Sequence, residues 1–305
     1  MPSLTVKIRT VSPLFLNGAD KKQPELRAAS VRGQLRYWFR AIEGAKTSDL
    51  QAVWKAEESI FGSTECGSHV SVRLLPDSET KITRQSLLPH KGGSQQDAFD
   101  SDVLCNLQLF VRAGSSFSEY LSQAFSTWLL LGGLGKRSRR MFGAFEIAHV
   151  YGSDDLEVQD GAARAWWGKP LSRPEQLGKV IYDHLRNWVF RGYTFNQSST
   201  PNFPTLHPAY SRILVGTKEF KSMEEVDKKF FEIMHEKRVY QFGSASPRRA
   251  SPLIAQVRKI KGQYYPILTI MRSGDIKDKA WGILNEFMNR CEDKFEGETV
   301  WGQKQ

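Results

Sequence analysis

Cysteine, clustered histidine, long apolar runs and acid are all scarce in this chain, and each shortage removes a class of function. The 305 residues hold three cysteines, Cys66, Cys105 and Cys291, odd in number, far apart and without a C-x-x-C spacing. That pattern provides neither a disulfide framework nor a thiolate zinc site, and it reads as reduced thiols in a cytoplasmic protein. The six histidines, His69, His90, His149, His184, His207 and His235, are scattered, with no H-E-x-x-H and no pair at ligand spacing. Hydrolytic zinc chemistry therefore lacks its ligands. No apolar stretch approaches the about 20 residues that span a bilayer, and the N-terminus enters an alternating pattern without a cleavable signal, so no membrane partner is expected. Asp97, Asp100 and Asp102 form an acidic run with no partnering site elsewhere. They read as solvating charge, so neither a metal nor a cofactor is expected.

Cations are plentiful. Lysine and arginine outnumber the acids 43 to 33, for a net charge of +10 and a pI near 9.5. Residues 1–150 and 151–305 each carry an excess of five, so the surplus belongs to folded regions rather than a basic tail. Such a balance favours a polyanionic partner. The densest cationic segment runs from Leu131 to Gly143 and contains four glycines, Lys136, Arg137, Arg139, Arg140 and Ser138, with no acid. Its glycines permit φ > 0 and close approach to a ligand, and consecutive N–H groups in such a turn can cradle an anion. It is not a Walker A loop, because Leu130 and Arg137 stand where a glycine and a hydroxyl are needed, nor a dinucleotide fingerprint, because Ser138 replaces the third glycine. The expected ligand is a polynucleotide backbone; the competing reading is a solvated basic turn.

Two further features share that chemistry. Ser30 reads as the N-cap of a helix reaching about Ile42, in which Val31, Leu35, Trp38, Phe39 and Ile42 form the apolar stripe. Arg32, Arg36 and Arg40 follow every fourth residue beside it, a row about 6 Å apart that suits phosphate tracking. Pairing of one or two of them with Glu43 or Glu25 is the alternative. The segment Tyr240–Pro252 places Arg248 and Arg249 among small and hydroxyl residues. Tyr193, Phe195 and Phe203, and the Trp166-Trp167 pair, could stack on unpaired bases or anchor their own loops.

Alternation over Leu4–Val11, His69–Leu75, Cys105–Ala113 and Phe142–Val150, with helices from Ser30 and over Phe117–Leu131, predicts the order βαββαβ, the ferredoxin-like pattern. Pro76–Asp102 reads as a long mobile polar insertion. After a helix over about Pro174–Phe190, the later residues rerun the order: a strand near Leu206–Gly216, a helix over Ser222–His235, paired strands at Leu253–Ile260 and Tyr264–Met271, a helix over Asp275–Cys291 and a last strand near Thr299–Trp301. The expected class is α+β, with two ferredoxin-like domains, 1–150 and 151–305, the second degenerate.

A metal-independent ribonuclease would need a base near the bound 2′-hydroxyl, and no basic loop contains a histidine. His90 beside Lys91 is the tempting candidate, with a solvated loop residue as the plainer reading. No catalytic residue is assigned. Processing endoribonuclease and architectural, protein-docking subunit stand as alternatives to RNA binding without catalysis.

Five segments then fall in a familiar order: Thr10–Asp20, Glu25–Arg40, Glu58–Thr64, Gly132–Arg140 and Arg248–Leu253. Together they resemble the RAMP superfamily of CRISPR–Cas proteins, in particular the first Cmr subunits of type III-B RNA-guided effector complexes. The resemblance is dense over residues 1–150 and thinner afterwards. It implies two ferredoxin-like, RRM-related domains that bind the 3′ region of the guide CRISPR RNA and the paired target RNA beside other Cmr subunits, with target cleavage belonging to another subunit. It places RNA contacts at the helix from Ser30 with Arg32, Arg36 and Arg40, at the cationic loop, and at Arg248 and Arg249. Two positions depart from the family's pattern: Met141 stands where the loop often has another glycine, and Asn17 precedes Gly18 where Gly-Gly is usual.

Overall fold

The computed structural model describes residues 3–87, 95–112, 118–152, 169–196, 200–236, 242–245 and 248–302. It divides into two compact units, Met1–Tyr37 with Ala56–Lys169, and Trp38–Lys55 with Pro170–Gln305. No single cut in the sequence produces that partition, because the middle of a helical pair goes with the later residues.

In the first unit, β1 (Ser3–Thr10) leads to α1 (Ala28–Lys46), α2 (Leu50–Phe61), β2 (Val70–Pro76), β3 (Ile82–Ser86), β4 (Gln95–Phe99), β5 (Leu104–Val111), α3 (Glu119–Leu131) and β6 (Phe145–Gly152). The main sheet has the order β2-β5-β1-β6, and all three pairings are antiparallel. Leaving aside β3 and β4, this is the fourth-first-third-second arrangement of a ferredoxin-like unit. Strand alternation buries Leu4, Val6 and Ile8 of β1 and Leu107 and Leu109 of β5. α3 begins where the Ser118 hydroxyl accepts the Leu121 N–H at 3.2 Å, an N-cap that satisfies one of the helix's orphan donors. Leu121 to Leu131 are all buried, so this helix is core on every side.

Three expectations are corrected here. α1 starts at Ala28, so Ser30 sits inside the first turn, its N–H bonded to the Arg27 carbonyl at 3.1 Å, and is not the cap. α2 was not anticipated. Pro76–Asp102 is not a structureless insertion: β3 and β4 pair as an antiparallel hairpin, whose tip lies outside the described residues. Its strands are polar because only Ala98 and Phe99 are buried; Ala98 joins Phe15 and Phe142 in a small core, and Phe99 exchanges backbone hydrogen bonds with Leu14 at 2.8 and 3.0 Å.

The second unit contains α4 (Pro174–Asp183), a π-helical turn (His184–Val189), β7 (Ser211–Val215), α5 (Met223–His235), the two-residue strands β8 (Ser244–Ala245) and β9 (Arg248–Arg249), β10 (Leu253–Ile260), β11 (Gln263–Met271), α6 (Asp278–Lys294) and β12 (Glu298–Gly302). Its sheet order, β10-β11-β7-β12, repeats the arrangement of the first. All six elements are present, so this copy is complete where the sequence suggested a degenerate one. No described helix is long and apolar enough to cross a membrane.

His184 opens the π turn, with its ring 5.1 Å from that of Trp188, and burial pushes its imidazole down from 6.5 to about 3. The unfolded chain takes up a proton near pH 6.5 that the folded chain refuses. This contribution to stability is therefore whole above about pH 6.5 and lost as pH falls toward 3, at up to about 1.4 kcal/mol per pH unit. Urea denaturation at pH 7 and pH 5 should show His184→Leu losing less stability on acidification than the parent chain. Equal losses would remove His184 from the acid response.

Candidate nucleic-acid interface

The cationic loop grows directly out of the buried end of α3. Gly132 donates its N–H to the Trp128 carbonyl at 2.8 Å, and the Trp128 indole donates to the Gly133 carbonyl at 3.2 Å. The Leu134 N–H bonds the Gly143 carbonyl at 3.0 Å and closes the loop, while Lys136 and Gly143 donate to the carbonyls of Phe15 and Pro13 at 2.7 and 2.9 Å. The Ser12 hydroxyl donates to the Met141 carbonyl at 2.6 Å and accepts the Ala144 N–H at 3.0 Å. The segment after β1 thus fastens the loop at both ends.

The glycines serve this fastening. Gly135 and Gly143 have φ of +83° and +62°, and a Cβ would stand 2.4 Å from the Phe15 oxygen at the first and 1.9 Å from the Leu134 oxygen at the second. The sequence suggested that glycine let the backbone approach a ligand; in the structure these two let it approach its own chain. Met141, at φ +67°, pays the left-handed cost that a glycine would avoid, and its side chain is fully buried. Gly143→Ala is expected to cost about 2 kcal/mol or more, from φ strain plus the clash, which thermal denaturation would register. A melting temperature within a degree of the parent's would contradict that packing.

Only residues 135–140 of the loop come to the surface, with Leu131–Leu134 and Met141–Phe145 buried. Lys136 is exposed and its ammonium donates to the Gln96 side-chain oxygen on β4 at 3.2 Å. The same Gln96 amide donates to Asn17 Oδ1 at 2.8 Å and to the Lys21 carbonyl at 2.9 Å, so one side chain ties together the hairpin, the turn after β1 and the loop. Arg139 lies 5.0 Å over the Tyr37 ring of α1. Arg140 donates to the Arg139 carbonyl at 2.8 Å. Burial first, and then the nearby charges of Arg137 and Arg139, lower its guanidinium to about 10. Arg137 and Ser138 are half-buried between them. Crowded guanidiniums of this kind are relieved by an anion.

The arginine row on α1 is not uniform. Arg32 is exposed, and no ion pair engages it among the described residues. Arg36 pairs with Glu57 of α2 at 3.1 Å, donates to the Gly62 carbonyl and lies 5.9 Å from the Phe61 ring, so its charge is already matched, though by Glu57 and not by Glu43 or Glu25. Arg40 is half-buried and falls within the second unit. Glu43 takes Lys46 instead, at 2.9 Å.

In the second unit, Arg249 reaches Asp275 at 3.5 Å and pairs through its backbone with Ser244. The Arg248 side chain lies outside the described residues, as do His90 and the Trp166-Trp167 pair. The three loop aromatics act as anchors. The Tyr193 hydroxyl donates to the Lys46 carbonyl, and Phe195 packs edge-on to Phe190 at 5.0 Å and His207 at 5.0 Å. Phe203 sits so close to Gly44 that a Cβ there would be 2.1 Å from its ring. Among the described residues no group of three or more His, Cys, Asp or Glu is placed to hold a metal ion. Sequence reasoning missed Tyr37, Glu57 and Gln96, and nothing in their local pattern distinguishes them.

Comparison with known proteins follows the same outline. Residues 7–146 match the RAMP superfamily. The chain is 45% identical over 67 residues to the CRISPR system Cmr subunit Cmr1-2 of Pyrococcus furiosus, covering 22% of this chain and 36% of that one. It is 31% identical over 152 residues to Cmr1-1 of the same organism, covering 45% and 44%. These alignments span about two fifths of the relatives' length. Among solved structures, apo Cmr1 from Pyrococcus furiosus superposes with a TM-score of 0.69 at 21% identity, over 99% of both chains. A chain of the type III-B Cmr-beta complex bound to cognate target RNA and AMPPnP, in the presence of ssDNA, gives 0.67 at 11% identity, over 95% of this chain and 99% of that one.

Proposed function

We propose, from the match of residues 7–146 to the RAMP superfamily, that this chain is a non-catalytic RNA-binding subunit of a type III-B Cmr effector complex. Its ligands are the 3′ region of a guide CRISPR RNA and the target RNA paired to it, and its protein partners are other Cmr subunits. The observation that carries this reading is the loop: Lys136, Arg137, Arg139 and Arg140 rise together on six surface residues whose ends are fastened to the segment Ser12–Phe15. A rigid cation cluster loses little entropy on meeting a phosphate chain. The fold it shares with a chain of an RNA-bound Cmr-beta structure supports the reading.

Recognition by cations aimed at phosphates is tolerant of sequence and strongly dependent on salt. The reading assigns the chain no bond-breaking step. Labelled single-stranded RNA, alone and annealed to a complementary strand, should bind with a log K against log salt slope of about −2 to −3, as expected for three or four neutralised phosphates on a single strand. The RNA should be recovered intact in EDTA. Specific cutting would make the chain a processing endoribonuclease, and absence of RNA affinity would leave it a protein-docking subunit.

A further inference from the structure

Strand alternation in the first unit buries Leu4, Val6, Ile8, Leu74, Leu107 and Leu109 on one face of the sheet and leaves exposed or half-buried side chains, Leu75 among them, on the other. That second face is aromatic and amide-bearing. Phe110 of β5 lies under the Arg73 guanidinium at 5.0 Å, and Tyr151 of β6, 47% exposed, lies under the Lys7 ammonium at 5.7 Å. We propose that this face is a base-stacking surface for unpaired RNA, separate from the cationic loop. The inference rests on the reading that the chain binds RNA.

The register supplies the geometry. Phe110 is opposite Ser3 and Tyr151 opposite Thr5, on the two strands that flank β1. Two strand spacings across and two residues along place their backbones about 12 Å apart. That is too far for both rings to meet one base and far enough for each to take its own. Gln108, the next residue after Phe110 on that face of β5, is level with Tyr151 across Thr5, and its amide makes no hydrogen bond among the described residues, so it can offer both a donor and an acceptor to a base edge. Asn106, next on that face, donates to Asp77 at 2.8 Å.

Charge decides how such a surface would behave. Asp77 holds Lys7 at 3.0 Å and Glu146 holds Arg9 at 3.1 Å, while Arg73 pairs with no acid among the described residues. The face is close to neutral, so an RNA bound there gains from stacking and amide contacts with little release of counterions. Stacking tolerates any base because every base has a π face. The two surfaces therefore separate experimentally: the loop sets the salt slope, and the sheet sets the requirement for bases.

The test compares binding of an oligouridylate with that of the same backbone carrying abasic sites, across a salt series. The parent chain should prefer the base-bearing strand by about 10-fold or more. A joint Phe110→Leu, Tyr151→Leu variant keeps apolar bulk but removes the π faces; it should lose that preference and leave the salt slope unchanged. If the leucine variant keeps the parent's preference and affinity, the inference is overturned. The same holds if the variant binds RNA normally and fails only in assembly with other subunits, which would make the face a protein contact. An Arg137→Glu, Arg139→Glu chain run alongside tells the two readings apart: if it loses binding while the leucine variant does not, the loop assignment stands and this one falls. If the parent chain binds no RNA, both fall.

Discussion

Joint replacement of Arg137 and Arg139 by glutamate should weaken single-stranded RNA binding by on the order of 100-fold at about 150 mM salt and make the log K against log salt slope shallower by about 1.4, two phosphate contacts' worth. Arg139 stands over Tyr37 and Arg137 half-buried beside it, while the hydrogen bonds that fasten the loop belong to the backbones of Leu134, Lys136, Met141 and Gly143. Charge reversal should therefore spare the fold, which an unchanged melting curve would show. Glutamate also meets the left-handed φ of 61° at position 137 with no larger penalty than arginine does. An unaltered affinity and slope in a folded variant would remove the loop from RNA recognition.

Breaking the ion pair in the second unit should have the largest effect on stability. Arg212 on β7 is fully buried and donates to Glu292 of α6 at 2.7 Å, to Asn289 at 2.6 Å and to Thr299 of β12 at 2.9 Å. The Thr299 hydroxyl donates in turn to the other Glu292 oxygen at 3.3 Å. Burial pulls the Arg212 guanidinium below its usual range and the Glu292 carboxylate holds it up. Arg212→Met leaves Glu292 and two polar side chains without their central donor, at an expected cost of about 3–5 kcal/mol. Combining it with Glu292→Gln removes the orphaned charge and should recover part of that loss. Urea denaturation of the single and double variants decides the matter. A single variant within 1 kcal/mol of the parent would show that the pair is dispensable.

Elements with a clear period were legible in the sequence, and those defined by contact were not. The strands of both sheets and the helices α1, α3, α5 and α6 follow from alternation and from apolar residues at helical spacing. The β3–β4 hairpin was not legible, because its strands bury only Ala98 and Phe99 and depend on a pairing with Leu14 some 85 residues away in sequence. α2 was missed for a related reason: of its apolar residues Leu50 and Trp54 are exposed, which blurs the stripe. In the candidate interface the cations were visible from composition. Their surroundings were not, since a row of arginines at every fourth residue looks the same whether or not one of them meets a glutamate across a loop.

The sequence by itself determined the chain's net positive charge, the α+β alternation, the order of the sheet strands in both units and the place of the cation-rich loop. Each of these is a property of composition or of neighbours within a few residues. Only the tertiary structure decided that Arg36 is matched by Glu57, that Gly135 and Gly143 give their freedom to contacts with Phe15 and Leu134, that Gln96 holds Lys136, and that the loop aromatics anchor their own unit. Those outcomes depend on groups far apart in the sequence, such as Lys46 and Tyr193 at a separation of 147 residues. Ion pairing, steric clash and hydrogen bonding act over a few ångströms of space, and separation along the chain does not record that distance.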